Sequence, residues 1–276
     1  MPVLRILLLT LLLPVLLLHA QPDDRHAAIV VNALGDEADL DGNDCTCMTA
    51  NNTCTLRAAL QTANACPGPD VVQFAVAGAF SPLTALPALS DATGGTLIDG
   101  YSAPGALANT APITQPVNSQ VTVTLYGANR PFHGLRITTQ NNVVRGLAIY
   151  GFDNDAVAPY YSGILIDGGR SNTVAGNLIG FDPNSVISSS FQRYGVQIRA
   201  LAKENLIGGA AAADRNVISG NTYAAVRIEG NLTLTNTVQG NFLGPVPQGN
   251  ALLPGNPNST ALAWPTSPTT VASCRT

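Results

Sequence analysis

Charge is scarce in this chain of 276 residues: 11% are Asp, Glu, Lys or Arg, and Lys203 is the sole lysine. A helical bundle needs Glu and Lys on its exposed faces, so that class is disfavoured. The formal net charge is −4 and no stretch gathers basic residues, which argues against nucleic acid as the main partner. Aromatics make up only 5%, with one tryptophan and three histidines. After the opening segment no run is long and apolar enough to cross a bilayer core of about 30 Å. What is present instead is 46% hydrophobic residues, too many for a disordered chain. The 26 glycines and 19 prolines are too few for a low-complexity one, and with 23 asparagines they point to many turns between short stacked strands. One or two domains fit this length.

The one long apolar run opens the chain. Arg5 is a positive n-region, Ile6 to Leu18 an h-region, and Leu18-His19-Ala20 a cleavage site, so residues 1–20 read as a signal peptide and the mature chain starts at Gln21. Interrupted by Pro14, the run is too short to span a bilayer. Export sets how the cysteines read. Cys45, Cys47, Cys54 and Cys66 form an even cluster that implies two disulfides, with three connectivities open. Four zinc-bound thiolates are the alternative, although C-x-C followed by single cysteines is an unusual zinc spacing. Cys274 is left over near the end.

Residues 21–80 read as an N-terminal cap. Ala27 to Val31 forms a first strand, followed by an acidic loop of Asp36, Glu37, Asp39, Asp41, Asn43 and Asp44. Asp39, Asp41 and Asn43 have the spacing of the first calcium ligands of an EF-hand. The sixth and twelfth positions are then Asp44 and Ala50 rather than Gly and Glu, so the loop reads as a solvated one in which those three residues would hold any calcium. Thr55 to Ala65 is helical, with Leu56, Ala59, Leu60 and Ala63 on one face, Thr53 or Thr55 as cap and Pro67-Gly68 as stop. A strand follows over Val71 to Val76.

The segment Cys54-Thr55-Leu56-Arg57-Ala58-Ala59-Leu60, continued to Ala65 and Pro67-Gly68, resembles the N-terminal motif of secreted bacterial proteins with a CSLREA signature. Thr55 stands for the motif's Ser and Ala58 for its Glu. Ile98-Asp99-Gly100-Tyr101 with Ala103-Pro104-Gly105 is similar to a stretch seen after that motif. The resemblance covers roughly residues 29 to 256. It implies secretion and a right-handed parallel β-helix of the pectin-lyase-like type, and it implies no particular reaction.

Residues 81–255 are self-similar without reference to any family. Segments starting at Gly134, Gly163, Gly195 and Ala225 align, 29, 32 and 30 residues apart. Each holds a short alternating strand, with Leu135 and Ile137, Ile164 and Ile166, Val196 and Ile198, Val226 and Ile228 on one face. Each then carries N-x-[VI]-x-G, whose Asn is Asn142, Asn172, Asn205, Asn216 or Asn236; the third unit carries it twice. The asparagines are expected to stack at the turns, and the glycines to supply turn geometry. A column of Thr138, Asp167, Arg199 and Glu229 is expected to bring opposite charges onto neighbouring strands. The fold class expected is all-β, a right-handed parallel β-helix (solenoid) with a short N-terminal capping helix. Residues 256–276 are irregular and read as the end of a shortened chain.

Catalysis on such a fold needs convergent carboxylates. Asp153, Asp155, Asp167, Asp182 and Asp214 lie in the repeats, and Asp153-Asn154-Asp155 is the one close pair. These two read as loop solubilisers and are the residues an enzyme reading would use. A lyase would also need a proton-accepting base, which Arg145, Arg193 or Lys203 could be cast as, but no motif selects one. The expected function is a secreted or cell-surface, non-catalytic, adhesin-like protein that binds glycan or protein, a monomer without cofactor other than a possible calcium ion. A polysaccharide lyase or glycoside hydrolase, and a structural fragment with no ligand, are the alternatives.

Overall fold

The computed structural model describes residues 28–153, 159–184, 192–244 and 262–263. Its strands run two to six residues each and gather into three sheets in which every strand pairing is parallel. The first sheet stacks Ile29–Val31, Val71–Phe74, Leu97–Asp99, Val143–Arg145, Thr173–Ala175, Leu206–Gly208 and Thr237–Gln239. The second stacks Gly78–Phe80, Val123–Tyr126, Leu147–Tyr150, Leu178–Ile179, Val217–Ile218 and Phe242–Leu243. The third stacks Leu135–Ile137, Ser162–Asp167, Tyr194–Arg199, Ala224–Ile228 and Leu262–Ala263. Each repeat thus sends one strand to each sheet.

The register follows the alternation. Leu135, Ile164, Val196 and Val226 are aligned partners, as are Ile137, Ile166, Ile198 and Ile228. None is more than 2% exposed. Each such burial is worth about 1.5–3 kcal/mol, so a one-residue slip that turned a whole row outward would be strongly disfavoured. These rows meet Val144, Val174 and Ile207 of the first sheet and Leu125, Ile149 and Ile218 of the second in a single apolar core.

The helix, α1 (Leu56–Ala65), belongs to the same core through Leu56, Ala59, Leu60 and Ala63. This corrects the expected all-β, right-handed parallel β-helix with a short capping helix: among the described residues the architecture is α/β-like, three all-parallel sheets and one α-helix around shared apolar contacts. A period of two reports which side chains turn inward. It does not report whether a helix counts among the layers they meet.

Thr55 caps α1, its Oγ1 accepting from Ala58 N at 3.1 Å and donating to Glu37 O at 2.6 Å. Of the three open connectivities, the structure has Cys45–Cys66 and Cys47–Cys54, which leaves no thiolates for zinc in this cluster. Both ends of α1 are therefore tied to the preceding loop. Arg57 adds a third fastening: its Nε and Nη2 reach the two carboxylate oxygens of Asp36 at 2.9 Å each, and it donates to Thr84 O and Ala85 O.

The asparagines stack in two columns. In one, the Oδ1 atoms of Asn142, Asn172, Asn205 and Asn236 each accept the backbone N–H of the residue one layer earlier, from Thr96 through Asn205. In the other, Asn177, Asn216 and Asn241 do the same for Leu147, Asn177 and Asn216. Asn216 is thus not a second copy of the first-column residue but a member of the second, where Asn177 and Asn241 stand five residues after Asn172 and Asn236. Gly176, in one such motif, has φ +67°, and a Cβ there would lie 2.7 Å from Ala213 O. Both the turn and the next layer require glycine at this point.

Candidate binding face

Three successive strands of the third sheet begin beside aromatic residues. Tyr160 and Tyr161 precede Ser162–Asp167, Arg193 precedes Tyr194–Arg199, and Tyr223 precedes Ala224–Ile228. Backbone bonds from Arg193 N to Tyr161 O and from Tyr223 N to Arg193 O hold these starts level. The rings of Tyr160 and Tyr223 meet edge to face, 5.2 Å between centroids. The Arg193 guanidinium lies over both, 5.2 Å from Tyr160 and 4.9 Å from Tyr223. Its Nε donates to Asp153 Oδ2 at 3.0 Å, in an ion pair almost wholly sealed from water. Tyr160 and Tyr223 remain 37% and 41% exposed.

Polar side chains extend from this aromatic end along the sheet. Arg227 covers the Tyr194 ring at 4.9 Å and bonds its hydroxyl. The same guanidinium pairs with Glu229 at 2.6 Å, and Glu229 also takes the Gln197 amide. Ser162 Oγ bonds Gln197 Oε1 at 2.9 Å. Burial pushes the Tyr194 hydroxyl's pKa up, with Arg227 opposing. The expected charge column holds at its first step, where Arg199 Nε donates to Asp167 Oδ1 at 3.1 Å. At its second step Glu229 turns to Arg227 instead. Arg136 supplies the contact missing from the expectation, 2.6 Å from Asp167. Burial acts to raise the Asp167 pKa, but the hydrogen bonds from Arg199 and Arg136 outweigh it and hold the carboxyl below its ordinary value.

His133 lies beside the same edge. Its Nδ1 accepts from Ser162 N at 3.1 Å, and its ring meets Tyr161 edge on at 5.3 Å. Burial first, then the charges of Arg199 and Arg136, push its pKa down to about 4.

Apart from Asp153, the other residues singled out from sequence do not converge here. Asp153 is buried and held by Arg193 rather than solvating a loop, and Asp155 lies outside the described residues. Asp182 accepts from Asn184 N and Asp214 from Ala211 N, each a local turn contact. Asp39 accepts from Thr62 Oγ1 at 2.7 Å and Met48 N at 3.2 Å, while Asp41 accepts from Asn43 N. Among the described residues no three His, Cys, Asp or Glu gather as a metal site. Cys274 lies outside the described residues. No helix of the described residues is long and apolar enough to cross a membrane.

The aromatic edge escapes an alignment that starts at Gly134, Gly163, Gly195 and Ala225. Two residues earlier in each unit stand Phe132, Tyr161, Arg193 and Tyr223, and one residue earlier His133, Ser162, Tyr194 and Ala224. In a chain with 5% aromatics, that concentration is the available signal. A scan against protein-family models finds no match, and neither curated proteins nor solved structures yield one.

Proposed function

We propose that this chain is an exported, non-catalytic binding protein that takes a neutral glycan on the face headed by Tyr160, Tyr223 and Arg193. The carrying observation is the pair of exposed tyrosines held edge to face with one guanidinium over both rings. Rings fixed in this way offer apolar area at little entropic loss, together with hydroxyls that bond in either direction. Sugars present matching surfaces, C–H faces for rings and hydroxyls for fixed polar groups. Beside the rings, Asp167 is shared by Arg136 and Arg199, and Glu229 pairs with Arg227, so the cations exceed the anions by one. With its guanidiniums already engaged and so small an excess, this face suits an uncharged polyhydroxyl chain better than a polyanion.

The secretory reading of residues 1–20 and the CSLREA resemblance support export, and two disulfides are compatible with an oxidising compartment. Asp153, bound by Arg193, is an acceptor in a closed ion pair rather than an acid poised to protonate a glycosidic oxygen. The test is calorimetric titration of the purified protein with a panel of neutral and acidic oligosaccharides. A neutral oligosaccharide should bind, and Tyr160→Ala and Tyr223→Ala should each weaken it about tenfold, or about 1.4 kcal/mol, without altering the circular dichroism spectrum. Binding confined to acidic oligosaccharides, or to a protein partner, overturns the proposal, as does unchanged affinity in both variants.

A further inference from the structure

Among the described residues, a different cation has no counter-charge. Arg215, directly before Asn216 of the second asparagine column, is 6% exposed. The other buried arginine among the described residues, Arg193, is paired with Asp153. Arg215 meets only neutral groups: its Nη1 donates to Ala111 O at 2.9 Å and Pro112 O at 3.4 Å, and its guanidinium lies 4.9 Å from the centre of the Phe242 ring. Its Nε is buried without a partner. Asp214, the preceding residue, accepts from Ala211 N through its Oδ2 at 3.0 Å and forms no ion pair with Arg215. Burial alone lowers the Arg215 pKa, as expected of a desolvated cation with no carboxylate nearby.

The same side chain lines a pocket of about 400 Å³, walled by Pro112, Ile113, Ala211, Ala212 and Gly240. Gly240 has φ +69°, and a Cβ there would strike Gly209 O at 2.1 Å, so this wall is bare backbone by necessity. An unpaired buried cation is costly, and a guanidinium is the side chain best shaped to receive an oxyanion. We propose that this pocket is an oxyanion site, with Arg215 as its anchor and a carboxylate or sulfate group as its ligand. The site does not touch the tyrosine face, and it stands or falls separately from the glycan reading.

The experiment follows the arginine Nε–Hε resonances of the full chain by ¹⁵N NMR during titration with sodium sulfate, sodium acetate or sodium glucuronate, each against sodium chloride at equal ionic strength. One Nε–Hε signal, assigned by its loss in Arg215→Gln, should shift saturably with at least one oxyanion and not with chloride. Sulfate or acetate binding as well as glucuronate marks a site for free oxyanions, and glucuronate alone marks an acidic sugar. Ile113→Trp, which fills the pocket and leaves Arg215 in place, should weaken the response at least tenfold and covers the case in which Arg215→Gln does not fold. A signal that none of the three anions moves more than chloride overturns the proposal, as does an undiminished response in Ile113→Trp.

Discussion

Asn172 gives both its backbone N–H and its side-chain amide to a single atom, Oδ1 of Asn205, at 3.0 and 2.9 Å. Asn205 in turn donates to Gly169 O and to Asn236 Oδ1. The amide therefore bridges three layers, donating to the one before and the one after while its oxygen accepts twice from the layer before. All of this is buried, so no water stands ready to replace it. Asn205→Ala should destabilise the fold by about 3 kcal/mol, since orphaned buried donors carry most of that loss. Urea unfolding at pH 7 measures it. Asn205→Asp should do no better, because it keeps the accepting oxygen but places a carboxylate against Gly169 O and Asn236 Oδ1.

The Arg193 and Asp153 pair should be strongly coupled. Arg193→Ala strands a buried carboxylate and releases two tyrosine rings, and about 3–5 kcal/mol of stability should go with it. Replacing both partners with apolar residues, as in Asp153→Leu with Arg193→Met, should recover much of that loss. A double-mutant cycle by urea unfolding gives the coupling, and simple additivity would show that the two side chains act independently.

His133 makes stability depend on pH in a set direction. Its folded pKa is about 4 against an ordinary 6.5, so the folded state holds it neutral. Above pH 6.5 neither state binds the proton and there is no effect. As pH falls from 6.5 to 4 only the unfolded chain takes it up, and stability drops; below 4 the loss is complete. The full drop is on the order of 3 kcal/mol. His133→Gln should flatten the unfolding free energy over that window relative to the parent, and equal slopes in both proteins would refute the assignment.

The two disulfides should differ in weight. Cys45–Cys66 closes a span of 21 residues and Cys47–Cys54 one of 7. Chain entropy makes the longer closure worth about 1 kcal/mol more. Thermal unfolding of Cys45→Ala/Cys66→Ala against Cys47→Ala/Cys54→Ala tests that order.

Much of the fold was legible because its determinants are local and periodic. The inward rows from Leu135 to Ile228, a threonine cap at residue 53 or 55 and the stacking of Asn142, Asn172, Asn205 and Asn236 follow from spacing alone. The apolar face of α1 was legible in the same way, through Leu56, Ala59, Leu60 and Ala63. Membership of Asn216 in the second column did not follow: it depends on which layer a segment meets, and the residues 209–215 that separate Asn216 from its own repeat hide the shorter spacing seen at Asn177 and Asn241. The candidate face was the least visible part. Tyr160, Arg193 and Tyr223 lie some thirty residues apart, just outside the strands, where no alternation marks them. Asp153 looked like half of a carboxylate pair because Asp155 follows two residues on; its neighbour in space is Arg193.

A surface assembled from the first residues of successive strands can evolve by unequal duplication. One further repeat inserted into the stack would add another row about 4.8 Å along, already in register, and leave the earlier rows unmoved. The length of the face is then set by copying DNA, and loss of a single repeat would shorten it without dismantling it.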